Sequence, residues 1–452
     1  MIGFKINAKI VKVFDNLKYS SKLRLKNLYF CNKNTQLNLK LESNLIFFKK
    51  KYNSQGSISS KSWKRFAKNR LAYFSMWFLV ITVFVSILGY WIAPDSTPYS
   101  NDQCLEIATK KPGFKVTMLQ LRKNEPEVKS NFFERLLNGE KSNFRKIPIS
   151  KYHIEDANLI VSVFNDFHGE KSEELSFSIA DILYPISEKV KPQLKNDQLI
   201  YEDIYGKSHS ESLNTMISEV IKSNIVETPF WLGTDRYGRD MLSQLIIGTR
   251  VSLSVGFISV FISLIIGVLL GSLAGYFRGF IDDIIMWFIN VVWSIPTLLL
   301  VIAITFALGK GFWQVFIAVG LTMWVDVARV VRGQILGLRE KEFIEAGKAL
   351  GFGSFRIIFK HLLPNVMGAV IVISAANFAS AILLEAGLSF LGIGVQPPMP
   401  SWGTMIKEHY NYIILDKAYL AIIPGFAIML MVLAFMLIGN GLRDALDSKA
   451  IK

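Results

Sequence analysis

The stretch EAGKALGFGSFRIIFKHLLP, residues 345–364, lies between two long apolar runs, and its reading decides the fold. Lys341 precedes it and Lys348, Arg356 and Lys360 lie within it, so it cannot rest in hydrocarbon. Loops rich in Lys and Arg collect on the cytoplasmic face of a membrane. Glu342 and Glu345 suit the first turn of a helix, where carboxylates offset the partial positive charge of the helix end. Gly351 permits a left-handed turn after that helix, and Pro364 is expected to stop a second segment before the next membrane helix. A short polar helix in this setting is either a handle for a soluble partner or a solvated connector shaped by ordinary capping.

Outward from this loop the chain is organised by apolar runs. Leu71 to Ala93 is 23 residues without a charge, and at ~1.5 Å rise it can cross a ~30 Å hydrocarbon core with some tilt. Five more runs follow: Ser252 to Tyr276, Ile284 to Leu308, Phe312 to Val331, Val366 to Leu391 and Tyr419 to Ile438. The expectation is an all-α membrane protein with six transmembrane helices and both termini cytoplasmic. Arg278, Arg339, Lys341, Lys348, Arg356 and Lys360 then fall in cytoplasmic loops and only Lys310, Lys407 and Lys417 in short external ones, as the positive-inside rule requires. The domains read as a basic tail at 1–60, a first transmembrane helix within 61–93, an extracytoplasmic insertion at 94–230, and a core at 231–452 that contains the cytoplasmic loop 339–364.

The formal charge of +15 is concentrated in one place. Residues 1–70 hold 17 Lys plus Arg against Asp15 and Glu42, so the rest of the chain sums to zero. A basic tail ahead of an apolar run orients a membrane protein and leans on anionic lipid, which disfavours a nucleic-acid partner. Residues 94–230 change to polar sequence with strand-like runs at 115–121, 159–164, 174–179 and 198–205, the pattern of a small α/β or mostly β domain. Cys31 and Cys104 fall on opposite sides of the membrane in this topology, and neither they nor the five scattered histidines form a metal-ligand spacing. No phosphate-binding G-x-x-x-x-G-K-[ST] loop, G-x-S-x-G elbow or H-E-x-x-H pair occurs, so the chain is expected to bind no cofactor and no metal, and to be no enzyme.

The order Glu345-Ala346, four residues, Gly351, and then Pro364 thirteen residues on resembles the cytoplasmic coupling loop of ATP-binding-cassette importer permeases. GTDRYGRD at 233–240, the arginine pair in WVDVARVVRGQ at 324–334, EAGLSFLGIGVQPPMPSWG at 385–403 and GNGLRDALD at 439–447 are similar to the C-type permease of dipeptide and oligopeptide importers. The likeness covers 61–93 and 231–452. It implies a type I importer-like permease fold, a homologous second permease subunit, two cytoplasmic ATPase subunits holding ATP and Mg, an extracytoplasmic substrate-binding protein, and an inner-membrane location. It also implies that Glu345, Ala346, Gly347, Gly351, Arg356 and Pro364 couple the chain to the ATPases. Gly347 stands where many relatives have Ala, a change that weakens the helix by about 1 kcal/mol.

Other residues carry two readings each. Asp326, Arg329 and Arg332 share a helical face, either as an internal ion pair or as a sensor of the coupling loop. Asp282 and Asp283 suit a helix start. Glu385 is an intramembrane carboxylate, by default a functional hypothesis, and with Asn377, Ser380 and Ser389 it is expected to line an aqueous path or to be hydrogen-bonded to a neighbouring helix. Pro397, Pro398 and Trp402 read as a rigid external turn with an interfacial aromatic, part of an outer gate. Gly233, Asp235, Gly238 and Asp240 read as an elbow on the external surface, with Asp240 capping an amphipathic stretch at 241–250. The rival functions are a proton-coupled secondary transporter using Glu385, a membrane enzyme, and a permease for nickel or another small solute.

Overall fold

A computed structural model describes residues 58–126, 131–166, 173–187, 190–309 and 311–446. The basic tail expected over 1–60 therefore lies outside the described residues apart from 58–60, as do Cys31, Lys310, His168 and Asp447. Internal contacts divide the chain at Lys64/Arg65, and the first unit contributes only the start of the helix Ile58–Lys68 to this description.

Among the described residues, five helices are long and apolar enough to cross a membrane, or six if one bent pair counts as a span. They are α1 (Arg70–Ile87), α3 (Met241–Phe277), α6 (Phe312–Arg339), the run Ser354–Phe390 that ends in α8 (Leu363–Phe390), and α10 (Tyr419–Leu446). The bent pair is α4 (Gly279–Ser294) and α5 (Thr297–Leu308). Three shorter helices are α2 (Phe132–Asn138), α7 (Glu342–Ala349) and α9 (Trp402–His409).

The α3–α6 pair forms the centre. Gly267, Gly271 and Gly275 recur every four residues on α3, and a Cβ on Gly271 would stand 2.5 Å from the Ala328 carbonyl oxygen and 2.9 Å from Val331 Cβ. Small residues at this spacing let two backbones approach, which drives helix association where no hydrophobic effect operates between helices. Around this pair α8 packs on both α3 and α6, α10 on α8, and α1 on α10.

Three expectations about the spans need correction. The run Ile284 to Leu308 is not one straight helix: it bends by 95° between α4 and α5. Pro296 has no N–H to donate and restricts Ile295, which adopts extended φ/ψ. Pro364 does not stop a segment, because the helix passes through it. A π turn at Ile358–Leu362 lies immediately before, and a widened turn of this kind relaxes the ladder where a proline removes a donor. The span expected from Ser252 begins earlier, since α3 runs unbroken from Met241, with Asp240 as its expected cap, the carboxylate accepting from Ser243 N at 2.9 Å.

Among its described residues the insertion holds eight strands: β1 (Phe114–Arg122), β2 (Phe144–Glu155), β3 (Asn158–Val163), β4 (Glu174–Ser178), β5 (Gln193–Lys195), β6 (Gln198–Glu202), β7 (Ser208–Ser212) and β8 (Ile225–Phe230). Five form an antiparallel sheet in the order β4-β3-β2-β1-β8, and three form a second sheet, β5-β6-β7. Alternation along β3 buries Leu159, Val161 and Val163 in a core shared with Leu119, Ile147, Ile179 and Met216. Residues 95–112 join the two parts: Cys104 and Ile107 share a core with Val116, Met118 and Phe230 of the sheet, while other residues of the segment bond to the membrane helices. Asp95 N donates to Ser243 Oγ at 2.9 Å, Gln244 Nε2 to Tyr99 O at 3.0 Å, and Tyr419 OH to Lys110 O at 2.8 Å. The sheet module proper begins at Phe114, which pairs with Phe230 across the β1–β8 ladder.

Candidate functional site

At the end of the bundle away from the insertion, α6 and α8 are joined by a projecting loop. Its base is fixed by charge. Arg332 makes a two-pronged hydrogen bond to Asp282 on α4, at 2.5 and 2.6 Å, and Arg339 donates to Tyr276 O at 2.5 Å, tying the end of α6 to the end of α3. Arg278 bonds Glu340 at 2.6 Å and holds that carboxyl below its ordinary range. The expected internal pairing of Asp326, Arg329 and Arg332 is not what forms. Arg329 lies instead over the Trp293 ring at 3.6 Å, and Asp282 serves as the partner of Arg332.

From that base α7 stands out with only Ile344 and Gly347 buried. Its end is a Schellman turn. Phe352 N donates to Gly347 O at 3.0 Å and Gly351 N to Lys348 O at 2.9 Å, with Gly351 at φ +74°. Gly347 faces the Phe352 ring, where an added Cβ would sit at an ordinary 3.4 Å, so the site admits the Ala of relatives. Arg356 stacks on Phe352 at 4.2 Å, and Phe352 on His361 at 5.7 Å. Glu345 and Ala346 are exposed on α7, Gly351 follows it, and Pro364 is exposed in the first turn of α8. Phe343, Leu350 and Phe355 are exposed beside them, an apolar set that loop capping alone does not require.

At the insertion end the 233–240 segment is buried rather than laid on the surface. Asp235 accepts from Tyr237 N and Arg239 N at 2.8 Å and from Arg239 Nε at 2.5 Å. Arg239 also reaches Glu408 at 3.0 Å on α9. Gly233 and Gly238 have positive φ and lie against the backbone of Lys110 and Cys104, with no room for a side chain. His409 bonds Met405 O through Nδ1 at 2.7 Å and accepts from Arg236 N at Nε2, and burial holds its pKa below the ordinary 6.5. Asp235, Glu408 and His409 come within 4.8 Å of one another, but Arg239 already spans the two carboxylates, so the trio is built as an ion-pair lock. Beside it a cavity of about 520 Å³ is lined by Arg236, Arg239, Lys407, Glu408 and the Pro397–Pro398 turn. Trp402 is not interfacial. It is buried at the start of α9 with Nε1 donating to Leu245 O at 3.0 Å, where its ring fills the gap left by Gly248.

The four residues expected to line a path do not share a surface. Ser380 and Asp326 line a cavity of about 310 Å³ at the α4–α5 bend. Asn377 is buried, with Met323 O 3.5 Å from its amide. Glu385 is fully buried, accepts from Ser389 Oγ at 2.7 Å, and continues through Ser389 to Ser401 at 3.4 Å, the residue whose capping box starts α9. This polar chain ties α8 to the start of α9. Sequence reading missed it because Ser401 is twelve residues beyond Ser389 and gives no periodic signal. It also missed the Asp282–Arg332 fork, although one carboxylate and one arginine near the same end of adjacent spans were the clue.

Together, a multi-pass bundle, a helix held out between two spans and a polar lock at the opposite end define a transport permease subunit. The sequence signature described as "Binding-protein-dependent transport system inner membrane component" matches residues 267–452, and that described as "N-terminal TM domain of oligopeptide transport permease C" matches 57–111, which extends the likeness beyond residue 93. A dipeptide transport system permease protein DppC of Alkalihalophilus pseudofirmus is 43% identical over 51% of this chain and 77% of its own length. The oligopeptide transport system permease protein OppC of Escherichia coli is 42% identical over 50% and 74%, and the glutathione transport system permease protein GsiD of Pectobacterium atrosepticum 42% over 48% and 72%. A solved inward-facing structure of the MetNI methionine transporter aligns with 46% of this chain and 98% of its own at 20% identity and a TM-score of 0.39, too remote to carry an argument. The chain belongs to the C-type permease family of ATP-binding-cassette dipeptide and oligopeptide importers.

Proposed function

We propose that this subunit, set in the inner membrane with both termini cytoplasmic, carries di- or oligopeptides by alternating access. It pairs with a homologous permease, receives cargo from an extracytoplasmic binding protein, and is driven by two ATPase subunits that hold ATP and Mg. The observation that carries this reading is α7. It is an eight-residue helix with two residues buried and the rest presented outward, capped by a rigid turn and footed on Arg332 and Arg339. Such a lever transmits a push to α3, α4 and α6 at once. Moving the bundle from 1:99 to 99:1 needs about 5.5 kcal/mol of differential binding, which nucleotide closure of the ATPases can supply through this contact.

Proton coupling through Glu385 is less favoured, because that carboxyl is fully buried and engaged with Ser389. The relatives named for dipeptide, oligopeptide and glutathione transport support a peptide cargo. The test is Glu345→Lys and Gly351→Val in the purified assembly. Both are expected to lose ATPase subunits, or to keep them with transport uncoupled, while the chain remains inserted. Unchanged association and uptake in both variants removes α7 from the role.

A further inference from the structure

The insertion carries one element that belongs to neither sheet core. In α2, Phe132, Phe133, Leu136 and Leu137 fall on one side of the helix and Glu134, Arg135 and Asn138 on the other. The apolar side is not covered by the protein: Phe132 is 57% exposed, Phe133 73% and Leu137 60%. Phe132 meets Trp91 edge to face at 5.1 Å, and Trp91 and Ile92 are themselves about half exposed beyond the end of α1. The exposed apolar surface of α1 therefore continues without a break onto α2.

Two membrane helices independently fix the depth of this patch. The uncharged run containing α1 ends at Ala93. Arg250 is the last charge on α3 before an uncharged run from Val251 to Phe277, and its Nη1 donates to Leu137 O at 3.0 Å and Leu136 O at 3.3 Å. The same guanidinium lies over the Tyr90 ring at 5.2 Å. The helix is held firmly in that position. Gly139, at φ +78°, passes against Tyr90 and Ser96, and Glu140 N donates to Ser96 O at 2.9 Å. An amphipathic helix with aromatic and leucine side chains at the level where two spans enter the headgroup zone has the geometry of an interfacial anchor.

We propose that α2 lies in the headgroup–acyl boundary of the leaflet on the insertion side, with Phe132, Phe133 and Leu137 in lipid, so that the insertion is moored to the bilayer as well as to α1 and α3. Lipid is the occupant because the patch prolongs the lipid-facing side of α1.

The test uses the full-length chain in nanodiscs, with Cys31 and Cys104 replaced by Ala and single cysteines labelled with an environment-sensitive fluorophore. Phe133→Cys and Leu137→Cys report the apolar side, Glu134→Cys the polar side, Trp91→Cys the end of the first span, and Tyr205→Cys the turn after β6. Lipids bearing a nitroxide on the acyl chain just below the headgroup are the quencher. The expectation is quenching at 133 and 137 within about twofold of that at 91 and at least about threefold that at 134 and 205. Quenching at both 133 and 137 no greater than at 205 overturns the proposal, whether the probes are wet or are shielded by another protein subunit.

Discussion

Substituting Gly271 on α3 by Ala tests whether close backbone approach to α6 organises the bundle. The new Cβ would stand 2.5 Å from Ala328 O and 2.9 Å from Val331 Cβ, against an ordinary contact beginning at 3.4 Å. The helices must therefore separate by roughly 0.5–1 Å, a gap that forfeits a quarter to a half of each dispersion contact along the seam. Gly267 and Gly275 flank the site on the same face, so the loss extends over about one helical turn on either side. Overpacking of this kind costs about 1–3 kcal/mol, while Ala in place of Gly gains up to about 1 kcal/mol of helix propensity. The expected net is a loss of up to about 2 kcal/mol, about 1 kcal/mol at the middle of the two ranges. Gly333→Ala on α6 is the control, because nothing lies within 4 Å of its added Cβ and the propensity gain stands alone. Equilibrium unfolding of the purified chain in mixed micelles, followed by circular dichroism, should thus move the two variants in opposite directions. Equal stability of Gly271→Ala and the parent, or equal shifts in both variants, refutes the reasoning.

His409 is held neutral by burial beside Arg236, Asp235, Glu408 and Arg239, and its folded pKa lies below the ordinary 6.5, so its contribution to stability is complete above about pH 6.5 and is lost as pH falls below that toward the folded value. The melting temperature of the parent should fall between about pH 7.5 and 5.5 more steeply than that of His409→Gln, and parallel slopes would remove the effect. Cys104 is buried, donates to Glu106 at 3.3 Å, and burial first and the Glu106 charge second push its thiol above the ordinary range, so a water-soluble maleimide should label it only after denaturation. Rapid labelling of the folded chain would contradict its placement. Replacing 115–229 by a short Gly/Ser link should leave insertion and ATPase assembly intact, because Phe114 and Phe230 face each other across one ladder and the contacts of 95–112 with α3 are kept. The same deletion should weaken stimulation of ATP hydrolysis by the binding protein, and failure to insert would show that the sheet module supports the core.

The spans and the shape of the loop between α6 and α8 are legible in the sequence because both are written in single-residue physics. Uncharged runs of membrane length admit few readings, and Glu345 and Gly351 mark a helix start and a left-handed turn by their own chemistry, whereas Pro364 reads as a stop although the helix passes through it. Strand-like alternation likewise marks β1, β3, β4 and β6. What depends on partners distant in the chain is not legible. The elbow at 233–240 reads as a surface turn until Lys110 and Cys104 are seen against its glycines, and Trp402 reads as a lipid anchor until Leu245 receives its N–H. Helical spacing suggests a shared path for Ser380 and Glu385, yet five residues on a helix turn the two onto different faces. Pro296 signals a break in the third run but not its 95° angle.

The most direct measurement of the whole account is peptide uptake into vesicles holding this chain, its permease partner and the ATPase subunits, with the binding protein on the opposite side and either ATP or a proton gradient as the energy source. Uptake driven by ATP, abolished by Gly351→Val and absent with the gradient alone, is the predicted result. Uptake driven by the gradient without ATP hydrolysis would contradict it.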